Sequence, residues 1–87
     1  MISRDDPRNP FVAYLAHEGM TPGDFAIIAR VDNVNVYDAR KAHCRALPKS
    51  FIPAIDELSG PGMGAKIASD YLNYREDLRK TLMMKKK

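Results

Sequence analysis

Within the six residues from Gly19 to Asp24 the chain spells the end of one helix and the start of the next, and this punctuation recurs along its length. Gly19 suits the left-handed position just past a helix end. Thr21-Pro22-Gly23-Asp24 then supplies a hydroxyl cap, a proline at the tolerated first position and an acid in the first turn. Asn9-Pro10 opens a helix in the same way, and Ser59-Gly60 closes one. A chain punctuated this often makes short helices joined by tight turns, and 87 residues hold one domain of them.

The hydrophobic spacing between these marks predicts an all-α fold of five helices. The first runs from Pro10 to Gly19 and carries Phe11, Val12, Tyr14 and Leu15; the second runs to about Arg30, with Phe25, Ala26, Ile28 and Ala29 at helical spacing. Asp32 is read as the cap of a short third helix ending at Arg40 or Lys41, with Val36 and Ala39 or Tyr37 inward. Its β-branched run, Val31 to Val36, leaves a strand as the competitor. Leu47-Pro48-Lys49-Ser50 opens a fourth helix that buries Phe51, Ile52, Ile55 and Leu58; Pro53 fits it only in the first turn. After a glycine-rich hinge at 60–64, a fifth helix spans about 65–82. It bears Ile67, Tyr71, Tyr74, Leu78 and Leu82 as a single apolar stripe on a charged helix. The single domain thus divides into a core at 9–60, the hinge, the last helix and a basic tail at 83–87.

Charge sharpens this division. Residues 1–60 carry a balance of −1 and residues 61–87 one of +4, giving the net +3. Within the first part Arg40, Lys41, Arg45 and Lys49 follow one another with no acid between Asp38 and Asp56. No apolar stretch is long enough for a transmembrane helix, and Met1 to Asp6 has no charged lead into an apolar run, so neither a membrane span nor a secretory signal is expected. The lone Cys44 offers no internal disulfide, which suits a reducing cytoplasm.

The stretch Thr21 to Tyr37 resembles the helix-turn-helix of phage repressor and Cro-like regulators. Phe25-Ala26, Val31, Asp32 and Val36 match that pattern in type and spacing, and Leu47-Pro48 with Phe51, Ile55 and Leu58 resembles the helix that closes such a domain. The likeness covers roughly residues 11–60. It departs where the family has glutamine and this chain has Pro22, where glycine usually ends the recognition helix and Ala42 stands here, and where Ala39 replaces a common aromatic residue. The resemblance implies a lambda repressor-like DNA-binding domain. It would be a sequence-specific transcriptional regulator encoded by a phage or mobile element, binding a pseudo-palindromic operator on double-stranded DNA as a homodimer.

In that setting the third helix lies in the major groove. Asn33 and Asn35 are suited to adenine, Val34 to a thymine methyl and Asp38 to cytosine, with Tyr37 on the same exposed side. Arg40, Lys41, Arg45 and Lys49 would meet phosphates, as would Thr21 and the first amides of the second helix. The stripe Ile67, Tyr71, Tyr74, Leu78 and Leu82 either dimerises, placing two recognition helices about one DNA turn apart, or packs back on its own core.

Other motifs carry no chemistry in this reading. His43-Cys44 has only His17 and no second thiol for company, which leaves no metal set and no oriented nucleophile. Gly60-Pro61-Gly62-Met63-Gly64-Ala65-Lys66 lacks the spacing of a phosphate loop. No catalytic residues, cofactor or small-molecule substrate are expected, so the chain is not read as an enzyme. The competing reading is a protein-binding adaptor, such as an antitoxin or phage-encoded inhibitor, that keeps the helical fold without specific DNA binding.

Overall fold

The stop and start signals bound five α-helices: α1 (Pro10–Glu18), α2 (Pro22–Ala29), α3 (Asn33–Arg40), α4 (Phe51–Ser59) and α5 (Met63–Lys85). The computed structural model describes residues 6–85, and among these there is no strand. The β-branched run at 31–36 is therefore resolved as turn and helix. Gly19 ends α1 in the left-handed region at φ 69°, and Thr21 and Asp24 form a reciprocal capping box at α2. Asp32 stands at the cap position of α3, but its side chain makes no capping hydrogen bond, contrary to the role expected of it. Pro53 falls in the first turn of α4, where its missing N–H costs nothing.

Three phenylalanines join α1, α2 and α4. Phe11, Phe25 and Phe51 are wholly buried, and their ring centroids lie 5.1–5.3 Å apart in edge-on and tilted pairs. Around this triad pack Tyr14, Leu15, Val36, Leu47, Ile55, Ile67 and Tyr71. Some residues of the expected core lie elsewhere, and Ile52 is only half-buried. Ile28 and Leu58 are each 38% exposed, because Phe25, Ala26 and Ala29 turn α2 inward on a neighbouring face and Phe51, Ala54 and Ile55 do the same for α4.

Helix α5 closes the core against α4 and α1. Its approach to α4 is close because Gly64 has no side chain: a methyl there would overlap Ile52 O. The Gly64 N–H donates to the Asp56 carboxylate (2.7 Å), which serves an otherwise orphaned amide in the first turn of α5. Only the first half of α5 is in the core. Ile67 and Tyr71 are buried, Tyr74 and Leu78 half-buried, and every residue from Arg79 to Lys85 is exposed. At about 34 Å for its 23 residues, α5 accounts for most of the 43 Å long axis of the molecule. Among the described residues no helix is long and apolar enough to cross a membrane.

Candidate nucleic-acid interface

Helix α3 is fixed from one side and open on the other. Val36, Ala39 and, just past the helix, Ala42 are buried, so the inward edge is small and apolar. The turn from α2 is three residues long. Arg30 takes the left-handed conformation at φ 60°, with its N–H on Ile27 O and the Val31 N–H on Ala26 O. This satisfies carbonyls of the last turn of α2 and delivers the chain directly into α3.

The other end of α3 is held by side chains from remote parts of the sequence. Asn9 is completely buried. Its oxygen accepts from Phe11 N–H to cap α1, while its amide nitrogen donates to Ala39 O and Arg40 O at 3.0 Å. Tyr71 of α5 donates to the same Ala39 O at 2.9 Å, and Arg75 donates to Ala42 O at 2.6 Å. The last carbonyls of a helix have no partner within it; here α1 and α5 supply them. Ala42, which adopts φ 61°, occupies the glycine-like position with a strained backbone. Sequence reasoning found Asn9 only as a helix cap and did not find Tyr71 or Arg75 in this role.

On the outward side Asn33, Val34, Asn35 and Tyr37 are exposed, and Asp38, Arg40 and Lys41 are half-buried. At about 100° per residue, Val34 and Tyr37 stand near the centre of this face, with Asn33 and Asn35 on opposite flanks. Lys41 Nζ lies 5.8 Å from the centre of the Tyr37 ring, within cation–π range. Asp38 faces His43, Oδ1 to Nδ1 at 3.6 Å. Arg45 and Lys49 follow, both exposed on the α3–α4 connection. The outward face thus presents amide, apolar and phenolic groups, with cations at its C-terminal side.

Thr21 is exposed at the start of α2, but its hydroxyl accepts from Asp24 N–H (3.1 Å) while the Asp24 carboxylate accepts from Thr21 N–H (3.2 Å). With Pro22 lacking an N–H, the positive end of α2 is largely served by the chain's own acid. A phosphate there would meet that carboxylate, so Thr21 is the weakest of the expected contacts.

The expected dimerisation stripe divides in two. Ile67 and Tyr71 are buried in the monomer core, and the Tyr74 hydroxyl donates to Asp6 at 2.8 Å. These three are spent within the chain and do not form a face for a second copy. Leu78 and Leu82 remain at the outer part of α5. Burial pushes the Cys44 thiol up from its ordinary value, away from thiolate reactivity. Among the described residues no three His, Cys, Asp or Glu side chains gather to hold a metal ion. Compared with protein-family models, curated proteins and solved structures, the chain matches none.

Proposed function

We propose that the chain is a sequence-specific DNA-binding regulator, with α3 entering the major groove and α2 crossing above it. One observation carries the reading. A three-residue turn seats α2 against α3, and the exposed face of α3 carries Asn33, Val34, Asn35 and Tyr37 on a helix whose far end is clamped by Asn9, Tyr71 and Arg75. A rigid helix with hydrogen-bonding and methyl-packing groups outward is what base readout requires. Arg45 and Lys49, exposed just beyond it, would neutralise phosphates beside it. Regulation is by occupancy: the bound protein blocks or recruits polymerase at its site.

The test is fluorescence anisotropy on a random duplex pool across a salt series, with the bound fraction sequenced. Enrichment of one site together with a steep salt slope is the expected result. Two-fold symmetry in that site assigns a pair of copies, and an asymmetric site assigns one. A protein-binding adaptor is the second reading, favoured by Ile27, 78% exposed on α2, and by the acidic Asp38 on α3. Flat anisotropy at low salt with the fold intact selects it.

A further inference from the structure

A groove of about 1090 Å³ runs between the start of the α3–α4 connection and the outer half of α5. Its floor is Ala42, Leu72, Leu78, Leu82 and Met83, and its rim is Lys41, Arg45, Arg75, Arg79 and Lys85 with a single acid, Glu76. Leu72, Leu82 and Met83 are each more than half exposed, an unusual outlay of apolar surface on an otherwise charged helix. The α5 residues lining it run from Leu72 to Lys85, about 20 Å of helix. That length suits three or four turns of a helical segment better than a compact small molecule.

We propose that this groove docks an acidic amphipathic helix of a partner protein. Apolar side chains at i, i+3 or i+4 and i+7 would fill the floor, and flanking Asp and Glu would pair with the rim. The rim decides the sign of the partner. Arg75 is already engaged with Ala42 O and Arg79 with Glu76 at 3.5 Å, yet cations outnumber acids five to one around the groove. A second copy laying the same face here would bring five more cations to the groove and only one more acid. A nucleic acid would satisfy the rim but would leave the leucine and methionine floor in contact with phosphates. Where α3 reads DNA as proposed above, a docked acidic helix would also screen Lys41 and Arg45 and so weaken DNA binding. That consequence, unlike the docking itself, rests on the DNA reading.

The test is selection of a displayed library of helical peptides on the full chain, followed by anisotropy of the best labelled peptide. The expected winners carry an apolar stripe between Asp and Glu residues. Leu82→Asp, at a position 60% exposed, is expected to weaken the peptide at least about tenfold, as is the pair Arg45→Glu and Arg79→Glu, with melting temperatures close to the parent's. A peptide with Glu changed to Lys is expected to recover affinity for the charge-reversed pair. Neutral or basic winners, or equal binding by Leu82→Asp, would overturn the proposal. So would self-association of the parent chain that Leu82→Asp abolishes, or recruitment to phosphatidylserine vesicles lost in the same variant. Adding the peptide to a DNA titration separates the two readings: peptide binding without any DNA binding removes the regulator reading and leaves the docking site standing.

Discussion

The Asn9 side chain makes three hydrogen bonds from a position with no solvent exposure, and two of its partners lie thirty residues or more along the chain. Its value as a cap is local and can be read from Asn9-Pro10. Its hold on the end of α3 is not local, and no neighbouring residue announces it. Removing the side chain leaves the Phe11 N–H without its cap and takes one donor from each of two carbonyls. Asn9→Ala is therefore expected to cost about 2–3 kcal/mol, measured by urea unfolding. Hydrogen exchange is expected to quicken in α3 as well as at the start of α1; acceleration confined to α1 would show that the grip on α3 is unimportant. Arg30 poses the opposite case. It sits at φ 60°, a conformation that glycine adopts without strain, and its side chain is exposed. Arg30→Gly is expected to stabilise the fold by about 0.5–1 kcal/mol, the relief of left-handed strain exceeding the added freedom of the unfolded chain. An unchanged or lower urea midpoint would contradict that balance.

Elements were legible where their signals are short-range. Caps, prolines and the apolar period gave five helices and their ends to within a few residues, since these depend on contacts three or four positions apart. Which side of each helix meets the core was less legible, because adjacent apolar residues such as Ile27, Ile28 and Ala29 offer more than one inward face. Ile28 lost to Ala29 because Phe25 belongs to the aromatic triad and Ala26 is buried in the same core, which turns the helix with them. The stripe on α5 was correct as a period, but a sequence cannot say where along its length the rest of the chain ends; α1 and α4 cover it to Tyr71 and leave Leu82 outside. The candidate interface divides in the same way. Its outward residues on α3 were implied by the helix-turn-helix resemblance, with the spacing leaving Tyr37 inward or outward, whereas the clamp from Tyr71 and Arg75 depends on how α5 folds back. Gly64 is the joint that permits this return, and no φ constraint marks it. A methyl at this position would meet Ile52 O, Ile52 Cγ2 and Asp56 Oδ1 at once, so Gly64→Ala is expected to force α5 off α4 and destabilise by about 2–3 kcal/mol. The loss is expected despite alanine's better helix propensity, and a gain in melting temperature would show that α5 can shift without cost.

Over the whole molecule, the same return of α5 sets the response to pH. Burial pushes both Tyr71 and Tyr74 up to about 12, and the Asp6 carboxylate that accepts the Tyr74 hydroxyl adds to the second shift. In the unfolded chain both phenols titrate near 10. A folded state that holds its protons more tightly keeps that stability below about pH 10 and loses it as pH rises towards 12. Asp6 works in the other direction: hydrogen bonds from Arg8, then from Tyr74, hold its carboxyl down at about 2. Its contribution is present above about pH 4 and fades as pH falls through 2. Melting temperature is thus expected to be flat near neutrality and to fall beyond about pH 10, with a shallower alkaline fall in Tyr71→Phe; identical slopes would place the alkaline loss elsewhere. The long-range field matters in a second way. If α3 reads DNA, Arg45→Ala and Lys49→Ala act through phosphates, so each is expected to weaken every sequence alike and to lower the salt slope by about one. Asn35→Ala acts through a base edge and is expected to cost about 1–3 kcal/mol on the preferred site alone, leaving the slope unchanged. The two kinds of change separate only if α3 enters the groove with its amides on the bases and the connection to α4 on the backbone. Uniform losses from all three would turn the molecule the other way round on the duplex.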